Sequence, residues 1–364
     1  MSAPTRAAVA ALTGYRPGRK PQDVGPLASR DNLIKLSSNE LPFGPLPSVE
    51  AAMKASFGSL HRYPDFFARE LIELLGEQIG VESDQVVVAS GSSALCRHIV
   101  EASTTAGDEV VIAAPTFQAY ARAAVIAGAD AVRVPLDSRF AHDLEAMAAA
   151  VGPGTRVIFI CNPNNPTSTA VAAGELQAFI EAVPADVLIV VDEAYREFAT
   201  DPARVPNAVP FIAAHDNVVV VRTFSKAHGL AGLRVGYALA SSEFAESLRK
   251  VVTPFAASTV GQVAAAASLR AQQEVLERVR TVVAERIRVN DALRILGVEP
   301  AESEANFLWL PLESASEGFV TACEADGVLV RPMPPNGVRV TIGTHGENDR
   351  FLSAATRWRS RREH

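Results

Sequence analysis

NVVVVRTFSKAHGLAGLRVGYALA, Asn217 to Ala240, decides how this chain folds. It opens on four consecutive valines, Val218 to Val221. A run that is apolar on both faces fits a strand covered by helices on each side. A serine-bearing turn with one lysine, Lys226, follows, and then a second strand-like run from Arg234 to Ala240. An ammonium packed beside a buried strand end is electrostatically awkward, and lysines kept in that setting serve chemistry, often as amines toward a carbonyl group. Of the chain's five lysines, the other four (Lys20, Lys35, Lys54 and Lys250) stand in polar or loop-like contexts. Lys226 is the candidate nucleophile.

Runs of the same kind recur upstream: Val86 to Ser90, Glu109 to Pro115, Ala131 to Leu136, Arg156 to Pro163 and Val187 to Tyr195. Together with Asn217 to Ser225 and Arg234 to Ala240 they make seven, alternating with helical patterns. This predicts an α/β fold with a mostly parallel seven-stranded sheet in a large domain. Between about residues 262 and 296, Leu269, Leu276, Val279, Val283, Ile287 and Leu293 recur at helical spacing among Arg and Glu. That pattern predicts one long amphipathic helix or a broken pair bridging two lobes. Beyond it, Asn306 to Leu312, a helical stretch, Gly327 to Met333 and Gly337 to Gly343 suggest a smaller α+β domain. The expected division is an arm over 1–35 packing with the small domain, a large domain over 36–262 and a small domain over 263–364.

With 364 residues, 48% of them hydrophobic, the chain can bury a large core. Its formal charge of −7, from 34 basic and 41 acidic side chains, argues against a nucleic-acid binder and leaves local arginines free for small anions. Cys96, Cys161 and Cys323 are far apart and share no ligand spacing, so neither a disulfide framework nor a metal site is indicated. The apolar run Ala7 to Leu12 is too short for a secretory signal, and no apolar run reaches membrane-spanning length. A cytoplasmic location is expected. The basic tail Arg357 to His364 reads as a solvated helix end.

In open α/β sheets, ligands bind outside the carboxyl ends of the strands, so the residues just past each run should converge. Gly91-Ser92-Ser93 opens a helix, where backbone N–H groups can cup an anion or where a serine simply caps. Phe117 offers an aromatic face, CNPNNPT carries Asn165, and Asp192 precedes Tyr195 by three residues. Thr223, Ser225, Lys226 and Arg234 close the series. An amine, a carboxylate, neutral donors, hydroxyls and a guanidinium match the parts of a phosphorylated pyridine aldehyde. No element is decisive alone; the joint order is.

On TFSKAHGLAGLRVGY, CNPNNPT and VVDEAY the chain resembles the pyridoxal-phosphate-dependent aminotransferases of fold type I, class I/II. More narrowly it is similar to the histidinol-phosphate aminotransferase family, aromatic and phenylalanine aminotransferase branch. The resemblance implies pyridoxal 5'-phosphate as cofactor, with Lys226 as the Schiff-base lysine and proton carrier. It makes Asp192 the partner of the ring nitrogen, and Asn165 and Tyr195 the donors to the phenolic oxygen. Phe117 would stack on the ring, and Ser92, Ser93, Thr223, Ser225 and Arg234 would hold the phosphate. It also implies a homodimer in which Tyr63 reaches the neighbouring subunit's cofactor, against the plainer reading of a packed loop aromatic. Arg339 would grip the substrate carboxylate, with Asn39 and Tyr15 lining the substrate side. Arg331 either faces the same pocket or is an exposed strand-end arginine.

Three positions depart from the family pattern: Ser168 where glycine is usual, Leu41 in SNELP, and His228 where tyrosine is common. None removes an implied cofactor contact. The less polar corner Ala94-Leu95 resembles the aromatic branch, so the expected reaction moves an amino group between phenylalanine or tyrosine and 2-oxoglutarate. Histidinol-phosphate transamination is the alternative. A nucleotide-dependent oxidoreductase is disfavoured, because VGPGTRV (Val151 to Val157) lacks the third glycine of a dinucleotide fingerprint and precedes a strand.

Overall fold

The computed structural model describes residues 4–14, 18, 33–333 and 337–362. The strands are β1 (Ile34–Lys35), β2 (Val86–Ala89), β3 (Glu109–Ala114), β4 (Asp130–Pro135), β5 (Thr155–Cys161), β6 (Leu188–Asp192), β7 (Val218–Thr223), β8 (Gly236–Leu239), β9 (Phe307–Leu310), β10 (Val328–Leu329), β11 (Arg331–Met333) and β12 (Gly337–Thr341). The helices are α1 (Ala7–Ala10), α2 (Pro47–Ser56), α3 (Arg69–Ile79), α4 (Ser92–Ser103), α5 (Ala119–Ala127), α6 (Leu144–Ala149), α7 (Ala173–Ala182), α8 (Ser242–Val251), α9 (Thr259–Arg270), α10 (Gln272–Ile295), α11 (Ser316–Ala325) and α12 (His345–Ser360).

All seven predicted runs form one sheet, in the order β2-β8-β7-β6-β5-β3-β4. Only β8 runs against the rest, pairing antiparallel with β2 and β7, so the other six strands end on a common edge. The Val/Ile runs are apolar on both sides because both sides are covered. Ile158, Ile160, Ile189, Val191, Val218 and Val220 enter one core. Their neighbours Val157, Phe159, Val190, Val219 and Val221 enter the other. That is the period-2 alternation of a strand, and burying each such side chain contributes roughly 1.5–3 kcal/mol.

The C-terminal third differs from the sequence pattern in one strand and agrees with one of the two forms expected of the long helix. Gly327 to Met333 splits: β10 pairs parallel with β1, whereas β11 joins the antiparallel sheet β11-β12-β9. The long helix is a broken pair, with Ala271 between α9 and α10 at φ −95°, ψ 28°. The buried face of α10 is Val275, Val279, Val282, Arg286, Val289 and Leu293, and Ile287 is 50% exposed. Arg286 takes the inward position because it has partners there. Its Nη1 donates to the carbonyls of Phe198 and Ala305, and its Nη2 lies 3.5 Å from Glu304. The start of the basic tail forms the last turn of α12, whose final basic residues are Arg357 and Arg359.

Among the described residues no helix is long and apolar enough to cross a membrane, and no group of three or more His, Cys, Asp or Glu could hold a metal ion.

Candidate active site

The ends of β2, β5, β6 and β7 converge on a cleft of about 260 Å³, closed from the opposite side by β11, β12 and the segment Ser37–Glu40. Ser92, Ser93, Phe117, Asn165, Asp192, Tyr195, Thr223, Ser225, Lys226, Arg234, Arg331, Arg339 and Asn39 all line it. Tyr63 does not: it is 81% exposed and stacks on Phe255 with ring centroids 4.6 Å apart. Tyr15 lies outside the described residues.

One end of the cleft is built for an anion. Gly91, at φ 86°, turns the chain from β2 into α4, which begins at Ser92 with its first N–H groups free of intrahelical partners. Gly236 packs so close that a Cβ there would stand 2.4 Å from the Ser92 nitrogen, which only glycine allows. Arg234 adopts a left-handed φ of 56°. Its guanidinium lies against Gly91 and donates to Ser225 Oγ at 3.2 Å. The Ser225 amide donates to Thr223 Oγ1 at 3.1 Å.

At the floor, Asp192 ends β6 and is buried. Tyr120 Oη donates to its Oδ2 at 2.7 Å and the Ala194 amide donates to its Oδ1 at 3.1 Å. Burial pushes its carboxyl up to about 6, opposed by those two hydrogen bonds. A carboxylate desolvated to this degree is best satisfied by a cation set against it. Tyr120, which sequence reasoning missed, stacks on Phe159 at 4.2 Å and meets Phe117 edge-on at 5.5 Å. The available signal was its place three residues after Phe117, in the first turn of α5. Cys161 is buried and contributes to the cleft wall.

Lys226 projects between these ends. Its Nζ donates to the carbonyls of Asn39 at 3.1 Å and Ser38 at 3.4 Å, and lies 5.6 Å from the Tyr195 ring centre. Desolvation first, then the Arg339 and Arg234 charges, lower the amine to about 7, while Glu40 and Asp192 act in the opposite sense. An amine so placed is substantially neutral near pH 7 and able to attack a carbonyl carbon. Tyr195 Oη accepts from Asn39 Nδ2 at 3.1 Å. Arg339 Nη1 donates to Asn165 Oδ1 at 2.5 Å, and its Nη2 donates to the Ser37 carbonyl at 2.9 Å. Arg331 pairs in register with Arg339, so the two guanidiniums stem from the same face.

The departures from the family pattern are accommodated. Ser168 takes φ 61°, the left-handed turn at the glycine position. Leu41 is buried beside Gly229. His228 is bound through Nδ1 to Ser268 Oγ at 2.7 Å and tilts against Phe224, a packing role.

Pyridoxal phosphate fits this donor set: a helix-start cup with hydroxyls and a guanidinium for the phosphate, a buried carboxylate suited to a protonated ring nitrogen, and a depressed amine for the aldehyde. Fold and site define a pyridoxal-phosphate-dependent enzyme of the α/β type. Residues 31–354 match the family model described as aminotransferase class I and II, and the chain belongs to that family. An aromatic amino acid aminotransferase of Streptomyces coelicolor is 46% identical over 354 residues, 97% of each chain. Another, of Thermobifida fusca, is 48% identical over 350 residues, 96% of each. Among solved structures, the histidinol-phosphate aminotransferase of Sinorhizobium meliloti in complex with pyridoxal-5'-phosphate superposes with a TM-score of 0.89, at 26% identity over 99% of both chains.

Proposed function

We propose that this enzyme transfers an amino group between an aromatic L-amino acid, phenylalanine or tyrosine, and 2-oxoglutarate. The observation that carries the transfer chemistry is the placement of a depressed lysine amine, a buried carboxylate and a carboxylate-sized guanidinium fork in one cleft. The aromatic assignment is supported by relatives of that name at 46–48% identity along nearly the whole chain. Histidinol phosphate is the second reading, favoured by the structural neighbours of that name.

When bound, pyridoxal phosphate supplies the carbonyl carbon and the electron-withdrawing ring that make the substrate Cα–H bond acidic. The chain does the rest. Lys226 Nζ is the amine that would hold the cofactor through its carbonyl carbon and, as a free amine, would move the proton at the substrate Cα. Asp192 keeps the ring nitrogen protonated. Asn165 and Tyr195 donate to the phenolic oxygen, and Phe117 covers one ring face. Ser92, Ser93, Thr223, Ser225 and Arg234 hold the phosphate. Arg339 exchanges its contacts to Asn165 and Ser37 for the substrate carboxylate as a bidentate fork. Asn39 and Arg331 lie on the substrate side.

The working unit in this reading is a homodimer. Tyr63, Phe66, Phe67 and Phe255 form an exposed aromatic patch, which is what a face covered by a second copy presents. Tyr63 from that copy completes the phosphate site. The division into an arm over 1–35 and domains over 36–262 and 263–364 belongs to the same proposal, with Arg339 delivered from the smaller domain. A cytoplasmic setting agrees with three free, buried cysteines.

The deciding experiment is a comparison of kcat/KM for phenylalanine and histidinol phosphate with 2-oxoglutarate as acceptor. Phenylalanine should win; a clear excess for histidinol phosphate overturns the substrate assignment.

A further inference from the structure

We propose that Thr341 is a positioning residue for the transfer reaction: its hydroxyl locks Asn39 in the one conformation that aims both Tyr195 and Lys226 into the cleft. The inference rests on the roles proposed above for Tyr195 and Lys226.

Asn39 sits at φ 53°, in the left-handed region. Asparagine tolerates that region better than other non-glycine residues, but something must hold it there. Thr341 does so from both sides. Its Oγ1 accepts the Asn39 backbone N–H at 2.9 Å, and its own O–H donates to Asn39 Oδ1 at 3.1 Å. With Oδ1 engaged, the amide nitrogen can only turn the other way, where Nδ2 donates to Tyr195 Oη at 3.1 Å. The Asn39 carbonyl meanwhile accepts from Lys226 Nζ at 3.1 Å and from Asn306 Nδ2 at 3.2 Å. Asn39, Thr341 and Tyr195 are all buried, so water does not substitute when one of these bonds is lost.

The arrangement ties the catalytic groups to the substrate-binding strand. Thr341 and Arg339 are two residues apart on β12 and therefore share a face. Arg339 holds the Ser37 carbonyl while Thr341 holds Asn39, two residues on. Any shift of β12 on carboxylate binding is thus transmitted to the amine and the phenol together.

The consequence for Tyr195 has a sign. The groups facing it are Arg339, Asn39, Cys161, Asp192 and Lys226. Burial pushes its phenol well above the ordinary value, and the Arg339 charge and the Asn39 hydrogen bond act against that. Loss of the Asn39 bond leaves the phenol a weaker donor to the cofactor's phenolic oxygen, so the Lys226-linked cofactor retains its proton to higher pH.

The test uses the cofactor-loaded protein and the pH titration of its visible absorbance band. In Thr341→Val, which keeps the shape and removes both hydrogen bonds, the midpoint should move up by about one unit. The same variant should lose about tenfold in kcat, with KM for the amino donor within about threefold. Thr341→Ser restores the hydroxyl and should restore both values. Should Thr341→Val fail to fold or load, Thr341→Cys, small like serine but with only a weak S–H donor, replaces it and should show the valine midpoint. An unchanged midpoint in valine and cysteine, or serine and cysteine variants that behave alike, overturns the proposal. Failure of the underlying Lys226 assignment looks different: Lys226→Ala would then keep the band, whereas failure of the Thr341 role leaves the band at its original midpoint.

Discussion

The hydroxyl of Tyr120, on the helix after β3, donates a 2.7 Å hydrogen bond to Asp192 Oδ2, at the end of β6. Its ring is fixed by stacking on Phe159, so the donor direction is set by the core rather than by a mobile side chain. In the proposed function Tyr120 therefore orients the carboxylate assigned to the cofactor ring. Tyr120→Phe keeps the stack and removes the bond, a loss of roughly 1.5–3 kcal/mol for a hydrogen bond to a charged group. The expected result is a kcat reduced roughly ten- to a hundredfold with KM for the amino acid nearly unchanged. Steady-state kinetics check it, and an unaffected kcat removes Tyr120 from this role.

Asp192 itself has a larger task in the proposed function, where the ring nitrogen would lose its proton without a carboxylate against it. Asp192→Asn should lower kcat by at least roughly 10²- to 10³-fold. If the loss is small, another group protonates the ring.

Lys226 gives a pH dependence with a definite sign. The amine of the cofactor-free protein is held at about 7, and only its neutral form attacks a carbonyl. The rate at which added pyridoxal phosphate produces the visible band should therefore rise with pH through about 7 and then level off. A lysine at its ordinary value would give a rate still climbing near pH 10. Stopped-flow absorbance between pH 5.5 and 9.5, at constant ionic strength, separates the two.

Much of this was legible in the chain, for a physical reason. A strand buried on both faces must be a nearly continuous Val/Ile run, so Val218 to Val221 and its counterparts marked the sheet directly. Once strand ends were located, the polar residues after each had to share an edge, which brought Asp192, Asn165 and Lys226 together. What stayed hidden depended on contacts across long separations. Tyr120 and Asp192 are 72 residues apart, and Thr341 and Asn39 are 302 apart. Neither pair shares a periodicity, because each is set by the packing of separate elements. Ile287 was placed on the apolar face for the same reason: Arg286 takes the buried position instead because its partner Glu304 and the Phe198 carbonyl are tertiary, and they override the apolar spacing.

Arg339 is assigned to the substrate carboxylate, and the prediction separates that role from a structural one. Arg339→Gln removes the charge and the fork, costing about 2–5 kcal/mol in kcat/KM for phenylalanine. Arg339→Lys keeps the charge without the planar geometry and should fall between. 2-Phenylethylamine, which has no carboxylate, should react with all three proteins at similar rates. Equal losses with the amine and the amino acid would mean that Arg339 supports the cleft, through Asn165 and Ser37, and does not bind substrate.

Tyr63 offers a test of assembly that no single variant provides. In a two-fold dimer with Tyr63 acting across the interface, each active site takes Lys226 from one subunit and Tyr63 from the other. Lys226→Ala abolishes both sites of its own dimer, and Tyr63→Phe weakens cofactor binding in both sites of its own. A hybrid of the two, isolated through distinct affinity tags, contains one site with both native residues and one with neither. Assayed at a cofactor concentration too low to load the Tyr63→Phe dimer, the hybrid should show about half the activity of the unsubstituted dimer. If Tyr63 served its own subunit's site, the hybrid would have no complete site and would stay as inactive as its parents. A chain that sediments as a monomer at micromolar concentration while fully active would dispose of the interface altogether.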